Sequence, residues 1–172
     1  GKVQPACLAD NTTNLIDCGN WTESTTWVVP ATAVSGIYIA KLTRTDTGGA
    51  SHVVFVVRDD ASTSDLLMQT DDTTWQAYNQ YGGFSLYTSV TAKKVSYNRP
   101  FSTRGQSGGF GPSDWVFSTE YPMVRWLEAN GYKPQFIAEG TREGRPKMHR
   151  KTQLFVTREA LRRYADVPEV VE

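Results

Sequence analysis

Residues 35–57 read SGIYIAKLTRTDTGGASHVVFVV, and the fold is decided here. Ser35–Thr45 alternates like a strand, with Ile37 and Ile39 on one face and Tyr38, Ala40 and Leu42 on the other. Thr47, Gly48 and Gly49 form a turn signal. His52–Val57 is a continuous apolar run, rich in Val and too short for a typical helix, so it reads as a buried strand. Strand, Gly-Gly turn and strand predict an antiparallel hairpin. With Thr25–Val29 as a further β-prone run stopped at Pro30, the first 58 residues read as the end of an Ig-like β-sandwich.

The character of the chain then changes. Residues 59–64 are polar and read as a linker. Asp65–Gln69 (DLLMQ) predicts a short strand, Thr70–Thr74 a polar bend, and Trp75–Tyr87 (WQAYNQYGGFSLY) a structured aromatic loop. Lys93–Tyr97 has strand character up to Arg99-Pro100. Phe101–Asp114 is rich in Gly and Ser and predicts a mobile loop. Tyr121–Gly131 is the clearest helix, with Pro122 at its first position, an apolar stripe of Met123, Trp126 and Leu127, and Asn130-Gly131 as its stop. Tyr132–Ile137 then returns toward the sheet. Strand, loop, helix and strand over 65–137 predict a partial parallel α/β unit, so the fold class is mixed α and β. Residues 138–172 form a basic tail; Gln153–Val156 has strand character, and Thr157 suits the cap of a short helix over Arg158–Ala165.

Bulk composition constrains function only loosely. The 172 residues are 39% apolar and 21% charged, which supports a packed core and argues against wholesale disorder. Aromatics reach 12%, a load typical of strands or a binding surface. Lys+Arg and Asp+Glu balance at 18 each, so net charge names no partner. The basic tail over 133–163 is the one hint of nucleic acid; its spacing is irregular, and a solvated or packed appendage explains it better. No apolar run approaches membrane-spanning length, and no membrane partner is expected.

Cys7 and Cys18 flank a polar Asn/Thr/Asp-rich loop, with no His nearby and no second pair to make a zinc site. A disulfide closing that loop is expected, contributing about 2–3 kcal/mol and pointing to an oxidising compartment. The chain opens Gly-Lys with no signal peptide, which predicts a processed, cloned or excised fragment, and the expected disulfide makes the parent protein secreted or periplasmic.

Several strings, in order, carry a resemblance: QPACLADNTTNLIDCGNW, VPATAVSGIYIAKLTRTDTGGASHVVFVVRDD, DLLMQTDDTTWQAYNQYGGFSLY, VSYNRP and EYPMVRWLEANGY. Over roughly residues 4–133 they resemble the N,N-dimethylformamidase β-subunit family. The resemblance implies a β-sandwich joined to a flavodoxin-like or amidotransferase-like α/β domain. It further implies hydrolysis of a small amide at an iron held by two tyrosines and a glutamate. Tyr78 in WQAYN matches one tyrosine ligand, and Tyr121 in EYPMVRW is the choice for the other. Trp75, Gln76 and Asn79 are the candidate substrate contacts, with Gln76 or Asn79 as oxyanion donors. A free tyrosine titrates near about 10, so a hard ferric ion would be needed to favour the phenolate.

One departure matters. The family's glutamate lies in a histidine–aspartate–glutamate–tyrosine–tryptophan string that this sequence lacks. The resemblance therefore implies an incomplete, inactive relative with no iron of its own, unless Glu120, Glu128 or Glu139 substitutes. The alternative is a sugar- or peptide-binding or structural module formed by a rearranged reading frame, with aromatic loops as its surface. His52 and His149 lack a Ser or Cys partner and read as structural and solvated. Gly105–Gly111 lacks the Gly-Lys-Ser/Thr ending of a phosphate loop. Asp59/Asp60 and Asp71/Asp72 read as surface loops. Exposed strand edges of a partial sheet predict self-association.

Overall fold

The computed structural model describes residues 2–101 and 116–138, with the backbone alone at 118–119 and 153–156. Strands β1 (Leu8–Asp10) and β2 (Leu15–Asp17) pair antiparallel inside the loop closed by the Cys7–Cys18 disulfide. The predicted hairpin follows as β3 (Gly36–Thr43) and β4 (Ala50–Val57), in register from Gly36 opposite Val57 to Thr43 opposite Ala50. Gly48 sits at φ 69°, the left-handed conformation the turn requires.

The second half is a mixed α/β unit. Strand β5 (Leu66–Gln69) leads into helix α1 (Asp72–Tyr78) and a 3-10 turn at Tyr81–Gly83. Helices α2 (Val116–Thr119) and α3 (Tyr121–Ala129) then precede β6 (Gln135–Ile137), which pairs parallel with β5. The backbone of β7 (Gln153–Val156) lies antiparallel on the other side of β5. The order β6-β5-β7 puts β5 at the centre, and its Leu66, Met68 and Gln69 are buried. That explains why Leu66–Met68 reads as a short unbroken apolar run. A stretch of the basic tail is thus a sheet strand.

Helix α3 ends as Asn130-Gly131 predicts. Gly131 adopts φ 79°, its N–H reaches the Glu128 carbonyl, and the Tyr132 N–H reaches Leu127. These two bonds cap the helix in a Schellman motif. Its buried stripe differs from the one the pattern predicts. Leu127 is 1% exposed and Val124 packs beside it, whereas Met123 and Trp126 are 42% and 37% exposed. Trp126 instead stacks on Tyr132, centroids 5.5 Å apart.

Leu66, Met68, Leu127 and Phe136 form the core. Ile37 and Val56 pack against it, so one face of the hairpin closes the α/β unit. The opposite face carries Tyr38 and Phe55, with Trp27 within 5.8 Å and 5.5 Å of them. Thr25–Val29 forms no strand; Trp27 lies on the hairpin as part of an irregular segment. The described strands form two two-stranded sheets and one three-stranded sheet, and the architecture stands as mixed α/β with small sheets.

Three other expectations need correction. The bend at Thr70–Thr74 and the loop from Trp75 give way to α1, whose Trp75, Gln76 and Ala77 are buried. Lys93–Tyr97 forms no strand; its backbone turns, held by the Lys93 N–H on the Thr13 carbonyl. Asp71 and Asp72 are buried, 6% and 7% exposed, while Asp59 and Asp60 are exposed as expected. The predicted loop over 102–114, the glycines at 105–111, His149 and the helix over 158–165 lie outside the described residues.

The stripe assignment is testable by urea denaturation. Leu127→Ala should cost about 2–5 kcal/mol, as expected for a buried leucine. Met123→Ala should stay within about 0.5 kcal/mol. Equal losses would place Met123 in the core and contradict the outward orientation of this residue.

Candidate functional site

A cleft of about 770 Å³ opens between the hairpin, the disulfide loop, α1 and the segment 97–101. The sequence builds each wall by a separate device. Cys18 closes the disulfide loop and Gly19 and Trp21 follow it, and Leu42 and Ser51 to Val54 come from the hairpin. Asp72, Trp75 and Gln76 come from the first turns of α1, just beyond the carboxyl end of β5. Open α/β sheets characteristically seat ligands at that end of their strands. Tyr97, Asn98, Arg99, Pro100 and Phe101 complete the lining.

Two clamps hold the walls. The Cys18 N–H donates to the Asn98 carbonyl at 2.6 Å. Beside it, Asp17 accepts from the Ser96 hydroxyl and from the Gly19 N–H, both at 2.6 Å. Together they join the disulfide loop to the 96–98 turn. The Ser96 hydroxyl, followed by the Gly19 N–H, holds the Asp17 carboxyl below the ordinary carboxylate range.

Arg99 is the second anchor. It is 6% exposed, and its guanidinium donates to the backbone carbonyls of Gln76 (2.9 Å), Phe84 (2.9 Å) and Tyr81 (3.2 Å). One side chain thereby pins the end of α1 and the following loop. Burial lowers its pKa to about 10, so it stays charged at neutral pH. The loop is further fixed by Gly82, at φ 81°, where a Cβ would stand 2.8 Å from Ile16 Cγ1.

The floor beneath α1 is polar and buried. Asp72 accepts from the Thr70 and Tyr97 hydroxyls, each at 2.7 Å. Glu120, 0% exposed, accepts from the Asp71 N–H at 2.9 Å. Burying these acids is tolerable because hydrogen bonds meet them.

The predicted site residues fall in different places. Trp75 and Gln76 line the cleft. Asn79 lies fully buried, its amide donating to Pro100 O and to Gln76 Oε1, so it does not present donors to a ligand. Tyr78 stacks on Tyr87 with centroids 4.5 Å apart, and burial, followed by Tyr78, raises the Tyr87 pKa. Tyr121 is 46% exposed, and Arg125 Nη1 donates to its hydroxyl at 3.1 Å. Neither tyrosine is among the residues lining the cleft.

An iron bound by two phenolates needs them to converge with an acid on one point. Tyr78 instead neighbours Tyr87, Tyr121 neighbours Arg125 on its own helix, and Glu120 turns inward to Asp71. His52, at the cleft wall, packs edge-on against Phe117.

Sequence reasoning missed Trp21, Tyr97 and Arg99. The signal for Arg99 was an arginine before a proline inside VSYNRP, with no charged neighbour to keep it at the surface. Trp21 and Tyr97 carried no local signal, since only the disulfide and its clamp bring them together.

The Asp17 clamp makes a pH prediction. With its folded pKa depressed, its stabilisation is present above about pH 4 and is lost as pH falls through the lower folded value. Asp17→Asn should lower the urea midpoint at neutral pH, and the difference should shrink progressively as the pH falls below about 4. A difference independent of pH would exclude the clamp.

A family model described as N,N-dimethylformamidase beta subunit-like, C-terminal, matches residues 1–158. The match continues past Lys133 into the basic tail, beyond the strings that carry the resemblance. Comparison with curated proteins and with solved structures gives no match. With 158 of its 172 residues under one family model, the chain belongs to the N,N-dimethylformamidase beta subunit-like family, C-terminal part.

Proposed function

We propose that this chain is a catalytically incomplete relative of the amide hydrolases that binds a small, partly apolar molecule in the aromatic cleft. The observation that carries this is the lining itself. Trp21, Trp75, Tyr97 and Phe101 face one cavity of ligand size, while Tyr78 and Tyr121 lie outside it. Aromatic walls with a few polar groups suit binding and orientation. Hydrolysis asks in addition for an activated water and an oxyanion hole. The candidate donor Asn79 is already engaged, and Glu120 is held by Asp71. The family's sandwich and flavodoxin-like architecture belongs to this proposal as the larger frame from which the unit derives.

Export is part of the same reading. A short-loop disulfide persists in oxidising compartments, and here it forms one cleft wall. Among the described residues, no helix is long and apolar enough to cross a membrane.

Two assays test the reading. Purified chain supplied with iron and N,N-dimethylformamide should release no formate above buffer. Sustained release that disappears in Tyr78→Phe would overturn the inactivity. Benzamide should shift the indole N–H resonances of Trp21 and Trp75 in nitrogen-15 NMR, and Trp75→Ala should abolish the shifts. Indole resonances that ignore benzamide would remove the binding role.

A further inference from the structure

The cleft wall that carries Trp21 is fastened by an arm with no buried residue of its own. Residues 2–10 run into β1, and each of them is exposed or half-buried. They lie along residues 20–24 through bonds that pair a side chain with a backbone group. The Trp21 indole N–H donates to the Pro5 carbonyl at 2.9 Å, and the Asn20 amide donates to Ala6 at 2.8 Å. Gln4 Nε2 donates to the Thr22 carbonyl at 2.6 Å, and Gln4 Oε1 accepts from the Thr22 N–H at 3.0 Å. All four bonds are exposed, where water competes and the net gain is small. Pairing with β2 adds three residues on each strand, too few to persist alone. The Cys7–Cys18 bond is therefore what holds the arm in place.

Residues 13–18 are held independently of that bond. The Lys93 N–H donates to the Thr13 carbonyl at 2.8 Å, and the Asn14 amide donates to Thr91 at 3.0 Å. Asp17 and Cys18 reach Ser96 and Asn98. Opening the disulfide thus frees the arm and takes the acceptor from the Trp21 indole, while the 96–98 turn, α1 and the hairpin keep their own ties.

The two sulfurs differ in access. Cys7 is half-buried, whereas Cys18 is 5% exposed. A small dithiol attacks as its thiolate at the Cys7 sulfur. An S–S bond forms between reagent and Cys7, the Cys7–Cys18 bond breaks, and Cys18 leaves as a thiolate that takes up a proton. The second thiol of the reagent then displaces Cys7, which ends as a thiol, and the reagent ends as a cyclic disulfide. Two electrons and two protons pass from reagent to protein.

We infer that ligand binding in the cleft is gated by the Cys7–Cys18 bond. The disulfide form seats Trp21 in the wall and takes a ligand; the dithiol form leaves that wall unfastened and does not. This rests on the reading of the cleft as a ligand site and adds its regulation. The chain gains its binding site where it meets an oxidising compartment, and a dithiol reductant turns the site off.

The test follows the full chain by nitrogen-15 NMR before and after dithiothreitol, with the released thiols counted. Reduction should move the Trp21 indole N–H resonance toward that of free tryptophan and speed its exchange with water. Benzamide affinity should fall at least about tenfold, as it does when the competent arrangement is populated less than about one-tenth of the time. The amides of β3–β4 and β5–β6 should keep their positions, and reoxidation should restore binding. Cys7→Ala should reproduce the reduced state without the reagent. Full reduction that leaves the Trp21 indole and the benzamide affinity unchanged would overturn the gate while leaving the cleft a binding site. Collapse of the β3–β4 and β5–β6 amide spectrum on reduction would also overturn it, because the bond would then staple the whole fold. A disulfide form that binds no benzamide would remove the proposed function along with this inference.

Discussion

The Ser35 hydroxyl is the joint on which the structure depends. It accepts from the Phe136 N–H at 2.8 Å and donates to the Val57 carbonyl at 3.0 Å. One side chain thus ties the open end of the hairpin to β6. A two-stranded hairpin is marginal in water by itself, so it must bury a face to persist. Ile37 and Val56 are that face, and the joint aims them at Leu66, Leu127 and Phe136. The same placement sets Val54 and Ile37 over Trp75, which fixes one wall of the cleft relative to α1.

The rest of the cleft is held by polar groups in an unusually buried setting. Gln69, Thr70, Asp71, Asp72, Gln76, Asn79, Arg99 and Glu120 are each under one-tenth exposed. They gather where β5 ends and α1 begins. Such a cluster stabilises little on balance, because desolvation offsets much of each hydrogen bond. Its value is geometric: Arg99 and Asp72 have few alternative partners, so the loop and the helix take one arrangement. The cost falls on Trp75 and Arg99, each left with a donor unmet among the described residues.

Much of the framework was legible in the chain. The 35–57 hairpin, β5, the α3 cap and the disulfide follow from alternation, a Gly-Gly turn, Asn130-Gly131 and two close cysteines. Short elements were not legible. Helix α1 spans only Asp72–Tyr78, its Thr73 and Thr74 are poor helix formers, and Trp75 and Gln76 are buried by tertiary contacts. The buried side of α3 was misjudged because Met123 and Trp126 are apolar yet face outward. The cleft was hidden for a different reason. Its walls come from four separate segments, and the burial of Arg99 depends on backbone carbonyls that no side-chain pattern reveals. Of the candidate site residues named from the sequence, Trp75 and Gln76 line the cavity, and Tyr78, Asn79 and Tyr121 do not.

Hairpin and α/β unit share one core, and the cleft is a consequence of that sharing. Native-state hydrogen exchange measures this directly by comparing the hydrogen-bonded amides of β3–β4 with those of β5–β6. A shared core predicts that both sets open with the same free energy, within about 1 kcal/mol, because neither pair persists alone. Hairpin amides exchanging several kcal/mol more readily, with β5–β6 undisturbed, would contradict it.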